Sequence, residues 1–141
     1  MTSWIGYAIA AAILYGLHQI FTKLAATKIG DGVGGFVVEA SAALTILLYL
    51  GTLRVGGRWD QPVSSPGLLW SILTGICVGA GTVAFFLLFQ KGGPLSAVPA
   101  ILAGGAALMA VAGIVFFKEP ASASRLFGVA LALGGLLLLR R

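Results

Sequence analysis

From Trp4 to Lys23 the chain carries no charged side chain until its last position. A helix needs about 20 mostly apolar residues to cross the ~30 Å hydrocarbon core of a bilayer, and this run has that length. Backbone amides in lipid must find hydrogen bonds within the protein, which a helix supplies inside one segment. The run is not uniform around its axis. At about 100° per residue, Ala8, Ala11, Ala12, Tyr15, His18, Gln19 and Thr22 share one face. A phenol, an imidazole and an amide have no reason to gather on a lipid-facing side. They suit a helix that lines a cavity between membrane segments.

The remainder of the chain repeats the theme. Of 141 residues, 59% are hydrophobic and only 9% charged, and the mean hydropathy is +1.04. A soluble domain of that composition could not cover its own surface. The expected fold is an all-α integral membrane protein, one domain over 1–141, with no room for a separate soluble domain. The first apolar run is too long for a secretory signal and has no basic residue before it, so it is read as a retained span. Five helices are predicted, at about 3–23, 33–53, 67–89, 95–117 and 121–139, the last near the lower length limit for crossing. Lys28, Gly30, Asp31 and Gly32 mark the first turn, 54–66 the one substantial loop, and 91–94 and 118–120 the remaining breaks. Pro120 suits a first helical turn. Trp4, Trp59 and Trp70 fall near predicted interfaces, as amphipathic rings do. Ten-residue alternating strands are absent, which excludes a β-barrel.

A net charge of +5 would suggest a nucleic-acid partner in a soluble protein. Here the basic residues sit at helix ends, facing lipid headgroups, and no nucleic acid is expected. With five spans, one side holds Arg54, Arg58, Lys118 and Arg125, and the other Lys23, Lys28, Lys91, Arg140 and Arg141. Orientation normally follows an excess of Lys and Arg on the cytoplasmic side. A balance of four against five predicts a chain that inserts both ways up. A single topology set by other factors is the alternative.

Glu39 is the one acid inside a predicted span and His18 the one histidine. The first two helices form a hairpin whose turn is midway between them. Both residues therefore sit at similar depth, roughly 5–10 Å from their helix ends. They could pair, share a proton or bind a charged ligand. Equally, Glu39 could reach headgroups or water, and His18 could bond a backbone carbonyl. Tyr15 is read with them as a cavity residue, and Gln19 and Thr22 either as site residues or as interhelical hydrogen-bonding groups. Ser71, Gly75 and Gly79 repeat every four residues and read as a packing surface, as do Gly128, Ala132 and Gly135. Gly104 and Gly105 permit close packing or a bend. Cys77 has no intrachain partner for a disulfide. Four acids, one histidine and one cysteine form no recognisable nucleophile–base pair or metal cluster, so neither an enzyme nor a cofactor is expected.

Three segments of the C-terminal half carry a resemblance: 91–101, beginning Lys-Gly-Gly-Pro-Leu-Ser; 115–120, Val-Phe-Phe-Lys-Glu-Pro; and 125–139, with its glycines and leucine run. Together they resemble the second half of an EamA domain, the repeat of the drug/metabolite transporter superfamily. Residues 14–23 resemble its first helix, where an aromatic–glycine pair precedes a lysine. The likeness covers the chain as one five-helix repeat. It implies a single-repeat member, distantly related to the four-helix small multidrug resistance proteins, which work as antiparallel dimers. On that likeness Gly128 and Gly135 match the paired glycines of a dimerisation helix, and Gly105 falls near the bend of a gating helix.

One departure matters. In the small multidrug family a glutamate stands eight residues before the first-helix lysine, and here that position is Tyr15. Proton-coupled cation efflux therefore does not carry over. The combined expectation is a transporter of a small metabolite or drug-like solute, multi-pass in the inner (plasma) membrane, working by alternating access as a dual-topology homodimer. Tyr15, His18, Gln19, Thr22 and Glu39 would face the substrate. A flippase-type subunit for a lipid-linked sugar and a non-transporting accessory protein are the rival readings.

Overall fold

The computed structural model describes residues 3–120 and 122–138, and gives backbone only for residues 3, 125, 132, 133 and 136. It is all-helical over that range: α1 (Ser3–Ala26), α2 (Asp31–Val55), α3 (Ser65–Gln90), a 3-10 turn (Leu95–Ala97), α4 (Val98–Val115) and α5 (Ala123–Leu138). The helices before α5 are long and apolar enough to cross a membrane, α4 counted together with the 3-10 turn that leads into it. The chain is built as a multi-pass membrane protein. The 16 described residues of α5 span about 24 Å, less than a hydrocarbon core. Ala121 and Leu139, the predicted ends of that helix, lie outside the described residues, as do Arg140 and Arg141.

The helix ends differ from expectation for local reasons. α1 continues to Ala26 because alanines favour helix, and the Lys28 and Ile29 amides then close on the Ala25 carbonyl. α2 starts at Asp31, so Asp31 and Gly32 belong to the helix and not to the turn. Gly30 is the extended residue before it, and the Asp31 carboxylate complements the positive end of the helix dipole. α3 opens one residue after Ser64, whose Oγ accepts from the Gly67 amide at 3.2 Å, with Pro66 in its first turn. The predicted fourth helix is divided: Pro99 has no amide to donate, and the regular α-helix begins beside it. Lys118 takes a left-handed conformation, φ 53°, and the Glu119 amide turns back to the Gly113 carbonyl at 3.0 Å. Pro120 precedes α5 and does not enter its first turn.

The chain packs as two compact units, 1–92 and 93–141. In the first, α2 and α3 run antiparallel and touch through three successive pairs. A Cβ added to Gly34 would lie under 3.0 Å from the Phe86 ring, and one on Gly35 would lie 3.1 Å from Val83 Cγ2. Further along, Glu39 meets Thr82. Phe86 and Phe89 are fully enclosed. Lys23 at the end of α1 holds its ammonium 5.0 Å from the Phe89 ring centre, and Gln90 Nε2 donates to the Ile29 carbonyl at 3.1 Å. These contacts tie α3 to α1 and to the α1–α2 turn. At the opposite end of α2, Arg54 stacks 5.7 Å from Trp59. In the second unit α4 packs on α5, and the Glu119 carboxylate lies against Gly113.

Large apolar side chains on every helix remain exposed, as a lipid solvent permits. The small-residue stripe of α3 is among the uncovered surfaces. Ser71 is exposed, and a Cβ on Gly75 or Gly79 would meet nothing within 4 Å. The same is true of Gly128 and Gly135 in α5, while the Ala132 side chain lies outside the described ones. Gly104 and Gly105 sit inside an unbroken α4.

Gly34→Ala should therefore destabilise the protein by about 1–3 kcal/mol, because the new methyl overlaps an enclosed aromatic ring. Gly75→Ala should be near-neutral in the same thermal-unfolding measurement in detergent. Equal stabilities for the two variants would contradict the packing described.

Candidate functional site

Both ionisable residues of the first hairpin lie eight residues inside their helices, His18 counted from Ala26 and Glu39 from Asp31. At 1.5 Å per residue that is about 12 Å from each end, deeper than the shorter predicted helices implied. Their shared level persists because both helices lengthened at the same end. A polar residue there is inside the hydrocarbon and needs a partner or a function.

The structure gives Glu39 a partner that sequence reasoning missed. Thr82 Oγ1 donates to Glu39 Oε1 at 2.6 Å, a side-chain bond from α3 to α2. A threonine side chain is short, so this bond needs the two helix backbones close together. Gly35, one turn before Glu39, and Gly34 beside it supply that approach. Thr82 is itself one turn before Phe86, which fills the space over Gly34. The glycine pair four and five residues ahead of the only in-span acid was the available signal. It fell inside the predicted second helix, where it was not read as a contact surface.

His18 and Glu39 are not hydrogen-bonded to each other. His18 packs edge-on against Tyr15, ring centres 6.4 Å apart and planes at 69°. Its Nδ1 is buried without a hydrogen-bond partner, and so is Gln19 Oε1. Gln19 is 7% exposed and Thr22 2%. The Thr22 hydroxyl is satisfied by the His18 carbonyl at 2.8 Å. The stripe on α1 thus has two halves. Ala8, Ala11, Ala12 and Tyr15 are open, Tyr15 to 66%, while Gln19 and Thr22 are enclosed. Tyr15 is consequently a surface residue of the single chain.

Neither open groove described on the surface includes these residues. One, about 530 Å³, is lined by residues 26–30 and Gln90. The other, about 210 Å³, lies at residues 62–64, Gly67, Leu68 and Ser71. Among the described residues no three His, Cys, Asp or Glu side chains gather as a metal would require.

Compared with known proteins, the chain matches no protein-family model and no solved structure. A curated protein of Sinorhizobium sp., described as an uncharacterized transporter in the cobO 3' region, is 24% identical to it over 139 residues. That alignment covers 97% of this chain and 96% of the relative.

An unpartnered buried oxygen costs about 1–3 kcal/mol. Gln19→Met, which removes one and keeps the volume, should leave the melting temperature in detergent unchanged or raise it. A clear drop would mean that the Gln19 amide holds the fold together.

Proposed function

We propose that this chain is a subunit of a membrane transporter that moves a small metabolite or drug-like solute by alternating access. The observation that carries the reading is the pair of buried, unpartnered polar atoms, His18 Nδ1 and Gln19 Oε1, on a helix of membrane length. Such atoms weaken a fold and are kept where a ligand can satisfy them. The relative named a transporter aligns with nearly the whole chain and supports the same class.

The functional unit in this proposal is one EamA-type repeat per chain, with α5 as a fifth span, paired as an inverted homodimer in the inner membrane. The near-balance of Lys and Arg between the two sides supports insertion both ways up. The open half of the α1 stripe, from Ala8 to Tyr15, then faces the substrate path. His18, Gln19, Thr22 and Glu39 continue that path inward. Gly128, Ala132 and Gly135 on α5 serve the dimer contact, as does the uncovered stripe Ser71, Gly75 and Gly79. Gly104 and Gly105 are the point at which α4 bends between states.

Purified protein in proteoliposomes should take up at least one solute from a mixed metabolite panel, tested with and without a pH gradient. His18→Ala should lower that uptake about tenfold, the worth of one hydrogen bond to a charged or polar group in a dry site. Absence of uptake across the panel, with protein shown to be folded, would favour the accessory role. For the topology, Asp60→Cys in a Cys77→Ser background puts one thiol in the exposed loop. An impermeant reagent applied to sealed inner-membrane vesicles should label about half the protein if insertion is dual. Labelling of all or none would sink the inverted dimer.

A further inference from the structure

Five described threonines lie inside helices, and four of them behave alike. Thr22, Thr45 and Thr74 each donate to the carbonyl four residues back, and Thr52 to the one three back. That is the ordinary resting place of a threonine hydroxyl in a membrane helix. Thr82 is the exception. Its hydroxyl crosses from α3 to the Glu39 carboxylate on α2. The carbonyl it would otherwise use belongs to Val78.

Glu39 has no ion pair among the described residues, and its neighbours offer little to neutralise it. α3 carries no Lys, Arg, Asp or Glu anywhere along its length, and its one titratable group, Cys77, is exposed on another turn. α1 carries Tyr7, Tyr15, His18 and Lys23, of which Tyr7 is exposed near the far end of the helix. Tyr15 is exposed, His18 is not bonded to Glu39, and Lys23 is placed over Phe89. On α2 itself Asp31 is two turns away, at the helix start, and Tyr49 and Arg54 lie ten and fifteen residues further on, Arg54 against Trp59. A carboxylate about 12 Å inside a span, with one hydroxyl as its partner among the described residues, is the kind of group that marks an ion or proton pathway through a membrane.

We propose that Glu39 is the proton-exchange site of this transporter and that Thr82 is its positioning residue. The inference rests on the transport reading above and adds the coupling ion to it. A proton from water on one side forms an O–H bond with the carboxylate, and the same bond breaks to release it to the other side. No other covalent bond changes. While Glu39 is ionised, Thr82 donates to it. Once Glu39 is protonated, the acid O–H becomes a donor, and Thr82 is free to accept from it and return its own proton to the Val78 carbonyl. The hydroxyl therefore reports the protonation state of α2 to the backbone of α3. Gly34 and Gly35 hold the two helices close enough for this throughout.

The test uses the full chain in proteoliposomes, with Glu39→Gln, Thr82→Val and Thr82→Ser. Infrared difference spectra between acidic and alkaline buffer should contain a protonated-carboxyl band that Glu39→Gln removes. Thr82→Val should shift its frequency, and Thr82→Ser should restore it. Uptake driven by a pH gradient should fall about tenfold in Thr82→Val, the effect of losing one hydrogen bond to a charged group, and recover in Thr82→Ser. A band that survives in Glu39→Gln overturns Glu39 as the site. A band unchanged by Thr82→Val, or still shifted in Thr82→Ser, overturns the role of Thr82. If no solute is taken up by the wild-type protein, the transport reading fails, while the spectra still decide whether Glu39 exchanges a proton with Thr82 as its partner.

Discussion

The arrangement of the first unit depends on the close approach of α2 to α3 over Gly34 and Gly35. In lipid there is no hydrophobic gain from pressing one apolar helix on another, since the acyl chains are as apolar as leucine. Helices hold together where their surfaces interlock and where a polar group finds its partner across the contact. Phe86 fills the space that a side chain at position 34 would occupy, and Val83 lies over position 35. A turn further along, the same closeness lets a two-carbon hydroxyl side chain reach a carboxylate. Packing and polar pairing are thus one feature, and the second is possible only because of the first.

That coupling explains why the interior of so apolar a chain is small. Among the described residues Phe86, Phe89, Ala26, Val98 and Ala100 are the enclosed hydrophobic ones, and Gln19, Thr22 and Thr82 the enclosed polar ones. Most of the other described leucines, isoleucines and valines are exposed. In water this would be an aggregation surface. In a bilayer it is the solvent boundary. His18 Nδ1 and Gln19 Oε1 are buried without a hydrogen-bond partner among the described residues, an uncommon state for buried polar atoms.

The two small-residue stripes illustrate how far spacing can be read. Ser71, Gly75 and Gly79 have the four-residue interval that permits close helix contact, yet among the described residues a Cβ on either glycine would meet nothing within 4 Å. Gly34 and Gly35 lack that interval and make the contact instead. Spacing states what a surface permits. Which surface is used depends on what the opposite helix presents, and α3 presents Phe86 at that level.

Membrane class and an all-helical fold were legible in the chain itself, because a bilayer imposes a length and a polarity that local composition must match. The matched depth of His18 and Glu39 was legible too, since a hairpin fixes the level of residues placed symmetrically about its turn. What composition left open was partnership. Glu39 bonds Thr82, 43 residues away, and not His18 across the nearer turn. Helix rotation about its own axis decides this, and rotation is set by the shapes that interlock at Gly34 and Phe86. A single sequence records which faces are polar, but only three-dimensional packing selects which of those faces meet.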